Sequence, residues 1–182
     1  MKIITVPNKT LRATAKVVES VNPYLSKLVA DMEKTLQSAR NPRGVGLAAN
    51  QVDKLYRVFT LAVDTLQTLI NPRIVAHSPR HTLGKNSEEP MLEGCLSIPK
   101  IFGPVPRWDW VEIEYQELVD SSLIERKEVF SDFTARVAQH ELDHLDGVLF
   151  TDYSLEYNLP IYQEHPKTKE LEEIDHTILT LW

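Results

Sequence analysis

The residues that most constrain this chain are two histidines four positions apart, His140 and His144, with Glu141 directly after the first. Residues four apart lie on the same face of a helix, so the two imidazoles can point at one metal ion. Glu141 lies about 100° further round the helix, where its carboxylate can reach a water molecule on that ion. Two ligands and a general base so close together predict a helix built for metal-assisted hydrolysis.

The helix that carries this motif is predicted over residues 132–146, with Ser131 or Asp132 as its cap and Gly147 at its end. Most of its circumference is apolar, and the two histidines and the glutamate lie within the apolar arc. Burying such groups without partners costs several kcal/mol. Coordination of a metal ion satisfies them, so the pattern favours a buried metal site.

Length and composition limit the class of protein. A chain of 182 residues, 42% of them hydrophobic, predicts a single domain over residues 1–182. The net charge of −6 disfavours a general nucleic-acid binder, and no apolar run is long enough to span a bilayer. The first residues lack the apolar segment of a signal peptide, so we expect a cytoplasmic protein. Cys95 is the single cysteine, which rules out an intramolecular disulfide.

Hydrophobic periodicity places the other elements. Apolar residues spaced three and four apart predict an amphipathic helix over 22–39, with Asn22 as its cap and Pro23 in its first turn. Alternating apolar and polar residues predict strands, most strongly where the sequence reads WVEIEYQEL. The predicted strands are 57–63, 68–75, 110–118 and 123–129, the last two as a hairpin, and a short terminal helix is predicted over 168–181.

The third protein ligand decides the class of metal enzyme, and the residues alone leave it open. Extension of the motif to a third histidine is excluded because Phe150 stands at that position. One choice is Cys95, since a thiolate binds divalent metals strongly and Gly94 allows close backbone approach. The other is a downstream glutamate, as in a zinc endopeptidase; those in range are Glu164, Glu170, Glu172 and Glu173. A non-catalytic module stabilised by a metal is a further interpretation.

Three short segments carry a combined signal. They are residues 44–51 (GVGLAANQ), 93–97 (EGCLS) and 139–147 (QHELDHLDG). In their order, their separations and their unaltered signature residues, they resemble the three signature motifs of the peptide deformylase family. The similarity covers about residues 1–152, which leaves 153–182 as a variable C-terminal segment.

The resemblance implies an α+β fold in which antiparallel β-strands surround a central helix that carries the two histidines. It also implies that Cys95, His140 and His144 bind one divalent metal ion. A mixed sulfur and nitrogen ligand set suits a borderline metal. Fe²⁺ is expected in the cell, and Zn²⁺, Ni²⁺ or Co²⁺ are expected to replace it.

The same resemblance implies the reaction. Glu141 takes a proton from the attacking water and later gives it to the leaving amine. The Gln51 side-chain amide and the Leu96 backbone N–H donate to the oxyanion, each worth on the order of 3 kcal/mol. The expected substrates are N-formyl-methionyl nascent peptides, from which formate is released.

Substrate binding is expected around an apolar pocket for the methionine side chain. Phe133 and Val137 lie on the same helix face as the first histidine, so they are natural walls of that pocket. The predicted substrate-binding residues are Val45, Gly46, Gly94, Phe133 and Val137. The resemblance also implies a buried ion pair between Glu93 and Arg107 beside this region.

Two features depart from many bacterial members of the family. Phe102 stands near the position where those members carry a basic residue that approaches the bound peptide. The C-terminal segment differs from the longer basic helix found in some of them. A transient contact with the ribosome is the expected macromolecular interaction, whereas sequence-specific nucleic acids and membranes are not expected partners.

Overall fold

The fold combines α-helices with antiparallel β-sheets, as predicted. A computed structural model describes residues 1–40, 43–84 and 90–181. Within that part of the chain the α-helices are α1 (Pro23–Ser38), α2 (Asp132–Leu145) and α3 (Phe150–Glu156). Short 3₁₀ helices occur at Lys9–Arg12, Ala49–Val52 and His176–Leu181. The strands are β1 (Gly46–Ala48), β2 (Val58–Ala62), β3 (Leu66–His77), β4 (His81–Thr82), β5 (Leu92–Cys95), β6 (Ile98–Pro104), β7 (Arg107–Trp108), β8 (Trp110–Val119), β9 (Ser122–Ser131), β10 (Ile161–Glu164) and β11 (Leu171–Ile174).

The strands form three antiparallel sheets. The largest has the order β1-β2-β3-β8-β9, the second has the order β11-β10-β6-β5, and β4 pairs with β7. In β8 the side chains of Val111, Ile113 and Tyr115 are buried, which the alternating sequence predicted. Asp120 and Ser121 have φ values of 49° and 81°, as a two-residue hairpin turn between twisted strands requires. The predicted hairpin of β8 and β9 is confirmed.

The two predicted long helices are present. Asn22 caps α1 by accepting a hydrogen bond from the Leu25 N–H at 2.9 Å, as expected. In α2 the N-cap residue is Ser131, one of the two predicted, although its side chain makes no capping hydrogen bond. Helix α2 packs against β1, β2, β8 and β9 of the five-stranded sheet and against β7. Its contacts therefore bring the histidine motif to a place where several strands meet.

The predicted terminal helix over 168–181 is wrong. That stretch contains β11, which pairs with β10, and the 3₁₀ helix His176–Leu181. Strand β10 is itself joined to β6, with Tyr162 opposite Phe102. Pairing with an existing sheet edge outweighs a weak helical pattern, because local propensity is small beside tertiary contacts.

None of the helices in the described ranges has the length and the apolar run that crossing a membrane requires.

Candidate metal centre and adjoining cavity

Three ligand-bearing side chains converge at the end of β5 and the C-terminal half of α2. The thiol of Cys95 and the imidazoles of His140 and His144 each offer one ligand atom, and these atoms lie within 4.8 Å of one another. The Cys95 Sγ lies 3.1 Å from the His144 Nε2. All three residues are buried. The two histidines are neighbours on one helix, α2. The cysteine lies on β5 of the four-stranded sheet, so only the fold brings it to the histidines.

The environment of these side chains fits a divalent metal ion. The Nδ1 of His140 lies 2.9 Å from the Glu93 Oε2, which orients the ring and leaves its Nε2 for coordination. Burial and the neighbouring charge of His140 hold the pKa of His144 well below its ordinary value. A ligating imidazole must be neutral, so the shift at His144 suits coordination. At His140 burial acts in the same direction, but the neighbouring Cys95 and Glu93 outweigh it and raise the pKa well above its ordinary value, so binding of a cation there must displace a proton. One sulfur and two nitrogens form the donor set of a borderline metal such as Fe²⁺ or Zn²⁺.

Glu93 connects the centre to two buried arginines. Its carboxylate accepts hydrogen bonds from the Arg107 Nε and Nη2, both at 2.9 Å, and from the Arg136 Nη1 at 2.9 Å. Burial alone would raise the pKa of Glu93, but Arg107 and the hydrogen bond with His140 outweigh it and hold that pKa well below the usual range. The carboxylate that orients His140 is therefore kept ionised. The predicted ion pair of Glu93 with Arg107 is present.

The ion-pair network extends to the next turn of α2. The Arg107 Nη1 lies 2.5 Å from the Asp143 Oδ2, and the Tyr153 hydroxyl donates to the Asp143 Oδ1 at 3.2 Å. The guanidinium of Arg107 also lies over the Tyr153 ring, 5.0 Å from its centroid. Residues of three elements thus hold the carboxylate that orients the first histidine.

Glu141 is buried beside the cluster, with 3% of its surface exposed. Its Oε2 has no hydrogen-bond partner within the described ranges, so one oxygen of this buried carboxylate is not satisfied by protein groups. Burial raises the pKa of Glu141 to about 7, although the charge of His140 opposes the shift. A carboxylate with such a pKa both accepts and returns a proton readily near neutral pH.

Gln51 aims its amide at the metal centre. Its Oε1 accepts a hydrogen bond from the Ala48 N–H at 2.8 Å, which orients the group. Its Nε2 lies 3.4 Å from the Cys95 Sγ and 3.2 Å from the Ser97 Oγ. The side chain is 1% exposed, so the amide is a fixed N–H donor next to the three ligands.

A cavity of about 240 Å³ opens beside the cluster. Cys95, His140 and Glu141 reach its wall, as does Leu96. All the residues that we predicted to bind substrate also line it: Val45, Gly46, Gly94, Phe133 and Val137. Phe133 keeps 43% of its surface exposed, so it stands at the cavity's open side. The structure thus places a small, mainly apolar space against Cys95, His140 and Glu141, whereas Gln51 and His144 are not among its lining residues.

Comparison with known proteins assigns this chain to a family. The family model described as polypeptide deformylase matches residues 1–158. The chain belongs to the polypeptide deformylase family. It is similar to peptide deformylase 2 of a Nostoc species, with 38% identity over 164 residues that cover 84% of each chain. It is also 38% identical to the peptide deformylase of Chlorobaculum parvum, over 84% of this chain and 78% of that protein.

Solved deformylase structures share the fold. The peptide deformylase of Synechococcus elongatus, determined in complex with actinonin, is 32% identical. The match covers 87% of this chain and 82% of that chain, with a TM-score of 0.73. Membership of the deformylase family makes the chain a metalloenzyme, which agrees with the Cys-His-His cluster. The roles of the individual site residues stay predictions.

Sequence reasoning missed two residues of the ion-pair network around Glu93. Arg136 has no role in the sequence-based predictions, yet it is 5% exposed and bonded to Glu93. Arg136 lies one turn before His140. A single arginine on a largely apolar helix was the sequence signal that could have indicated a buried ion pair. Tyr153 lies in the segment whose sequence pattern is weak, and nothing local marks it as a partner of Asp143.

Replacing Arg107 with methionine should lower the free energy of unfolding by about 3–5 kcal/mol, because it removes the main cationic partner of a buried carboxylate. The side chains of Arg107 and Glu93 are 3% and 5% exposed. Since the pKa of Glu93 is held below its usual 4.5, the stabilisation is present above that pH and lost as pH falls. Urea unfolding of both proteins at neutral and acid pH measures the difference, which should shrink in acid.

The matched control is Arg126→Met. Arg126 pairs with Glu117 at the surface, where the two side chains are 46% and 43% exposed. Its loss should change the free energy of unfolding by less than about 1 kcal/mol. Equal losses for the two variants would contradict a structural role for the buried pair.

Proposed function

We propose that this chain hydrolyses the N-formyl amide of formyl-methionyl peptides and releases formate and a free N-terminal amine. The observation that supports it most is the Cys95, His140 and His144 cluster at the wall of an apolar cavity, with Glu141 beside it. We infer that residues 1–182 form one catalytic domain whose strands surround a central helix bearing the histidines.

The three clustered side chains would hold one divalent ion, Fe²⁺ in the cell, with Zn²⁺, Ni²⁺ or Co²⁺ as replacements. Such an ion supplies Lewis-acid polarisation and lowers the pKa of water. The protein's own part is to keep His140 oriented through Glu93 and to exclude bulk solvent from the cluster.

Glu141 acts as the proton carrier. It accepts a proton from the water that attacks the formyl carbon, and it delivers that proton to the amine nitrogen as the carbon–nitrogen bond breaks. Its burial and its pKa of about 7 support both halves of the transfer. The unpartnered Oε2 is the atom available for the proton.

Gln51 and Leu96 stabilise the charge that develops on the formyl oxygen. The Gln51 Nε2–H is already directed at the metal cluster, and the Leu96 backbone belongs to the residue after Cys95. A prepositioned donor of this kind contributes about 3 kcal/mol because it needs no reorganisation during the reaction.

The cavity receives the methionine side chain. Its lining by Val45, Phe133 and Val137 supports an apolar occupant. Strand β1, which includes Gly46, is at the edge of the five-stranded sheet, so the substrate backbone can add to it as a further strand. Because new chains carry the formyl group as they leave the ribosome, we include a transient ribosome contact in the proposal.

A zinc endopeptidase with a downstream glutamate ligand is disfavoured. In the described residues, the grouped metal-binding side chains are Cys95, His140 and His144, and no glutamate of the C-terminal hairpin joins them. Glu164 forms an ion pair with Lys169 at 2.9 Å.

The test is formate release from formyl-Met-Ala-Ser by protein purified without oxygen and loaded with Fe²⁺. Acetyl-Met-Ala-Ser is the companion substrate, which detects a deacylase of different acyl preference. Cys95→Ala should lose both bound metal and activity, whereas Glu170→Gln should keep both. Absence of formate from the metal-loaded wild type, or full activity in Cys95→Ala, contradicts the proposal.

A further inference from the structure

Two exposed cations stand at the mouth of the cavity, Arg43 and Lys100, and we call them the cationic rim. Both residues line the cavity and both are exposed. The other lining residues with ionisable acid or guanidinium groups, Glu93, Arg136 and Glu141, are buried. The entrance is therefore positive in a chain whose net charge is −6.

Backbone contacts with the residues at the end of α1 hold Arg43 beside the cavity. Arg40 and Arg43 form an isolated antiparallel bridge, and the Gly44 N–H donates to the Ala39 carbonyl at 3.2 Å. A Cβ on Gly44 would lie 2.7 Å from the Leu36 Cδ1, so the backbone after Arg43 is tightly packed. The position of Arg43 at the entrance is thus set by backbone hydrogen bonding and by the packing of Gly44.

Lys100 reaches the cavity through an unusual backbone conformation. Its φ is 65°, in the left-handed region that a lysine rarely adopts. This interrupts the alternation of β6, so that Ile98, Lys100 and Ile101 all line the cavity. A backbone strain of this kind persists only where surrounding structure enforces it, and it is typical of ligand-binding positions.

Among the residues that the structure describes, the cationic rim has no acidic partner. In the described part of the chain, neither Arg43 nor Lys100 has an ion pair or a side-chain hydrogen bond, although ion pairs are frequent elsewhere. Unpaired cations at the edge of a low-dielectric cavity attract anionic ligands and disfavour cationic ones. What enters this cavity under the proposed function is a peptide, whose residues after methionine must pass the rim.

We propose that Arg43 and Lys100 make the enzyme selective for formyl-methionyl peptides with acidic side chains shortly after the methionine. This selectivity rests on the proposed function and adds a substrate class to it. A second cavity on the other side of Phe133 is lined by Asp64, Glu128 and Asp132. If the peptide after methionine ran along this second cavity, the enzyme would prefer substrates with basic side chains. The two possible paths of the bound peptide therefore predict opposite charge preferences.

The experiment compares formyl-Met-Ala-Asp-Asp, formyl-Met-Ala-Ser-Ser and formyl-Met-Ala-Lys-Lys at low ionic strength. The acidic peptide should have a kcat/KM roughly fivefold or more above the basic one, mainly through KM, as expected for exposed charge contacts. The ratio should approach one at about 0.5 M salt because screening shortens the range of these interactions. An equal kcat/KM for the acidic and basic peptides, or a preference for the basic one, overturns the proposal.

Charge-neutralising variants test whether Arg43 and Lys100 cause the preference for the acidic peptide. Arg43→Gln and Lys100→Gln should each reduce the acidic-to-basic ratio, and the double variant should bring it close to one. Lys9→Gln is the matched control, since Lys9 is exposed in the 3₁₀ helix Lys9–Arg12 and does not line the cavity. A ratio that survives in the double variant overturns the assignment to these two residues.

A binding measurement separates this proposal from the proposed function. Calorimetric titration of the metal-loaded protein with Met-Ala-Asp-Asp and Met-Ala-Lys-Lys requires no turnover. Tighter binding of the acidic peptide, lost in the double variant, supports the rim even if no formate is released from any substrate. Formate release without a charge preference in either assay supports the deformylase activity and refutes the rim.

Discussion

Replacing Glu141 with glutamine should lower kcat by on the order of 10²–10⁴, because a neutral amide cannot accept the proton from the attacking water. The substitution preserves the size of a side chain that is 3% exposed, so the fold should be retained. The ligands Cys95, His140 and His144 are unchanged, so bound metal should stay at the wild-type level. Formate release and metal content of the same sample measure the two effects separately.

Glu172→Gln is the control for this experiment, since Glu172 is an exposed residue of β11 far along the chain from the motif. It should leave kcat unchanged. If Glu141→Gln keeps its metal and retains more than about a tenth of the wild-type kcat, Glu141 is not the proton carrier.

Replacing Gly46 with alanine should reduce kcat by about 10²-fold, with a smaller effect on stability. The added Cβ would lie 2.2 Å from the Glu141 Oε1 and 2.7 Å from its Cδ, so the carboxylate must move. A shift of about 1 Å in a catalytic group costs roughly 10² in rate. Overpacking costs about 1–3 kcal/mol in the free energy of unfolding, and here a side-chain end can yield.

A double-mutant cycle tests this interpretation. In the Glu141→Gln background, Gly46→Ala should cost little further activity, because the group that it displaces is already inactive. Gly103→Ala is the matched control: the nearest atom to its added Cβ is the Ser154 Oγ at 3.3 Å, outside the cavity. Independent, additive losses at positions 46 and 141 would show that Gly46 acts through the substrate and not through Glu141.

Local patterns in the sequence were enough to predict the elements that build one half of the site. The histidine spacing predicted α2, and the alternation of residues 110–118 predicted β8, because both periodicities are properties of a single element. The grouping of Cys95 with the histidines followed from the family motifs and is present in the structure. The residues alone had left a downstream glutamate as a competing ligand.

Long-range pairing explains what was missed. Strands β10 and β11 form because β10 can pair with β6. The periodicity of residues 161–174 carries no information about that partner strand. Arg136 looks like a solvent-facing residue until Glu93 and the Val105 carbonyl are seen to accept its hydrogen bonds, at 2.9 and 2.8 Å. In both cases the deciding partner lies on another element.

The sequence by itself therefore determined which side chains the candidate site contains: one thiol, two imidazoles, a carboxylate and an amide in the motifs of a deformylase. The tertiary structure alone decided which charges are buried and which remain at the surface. Glu93 and Asp143 compensate the charges of Arg107 and Arg136 inside the protein, whereas Arg43 and Lys100 stand at the cavity mouth with no ion pair among the described residues. The physical reason is that a charge can be buried only where partners from other elements compensate its lost hydration, and those partners are set by the fold.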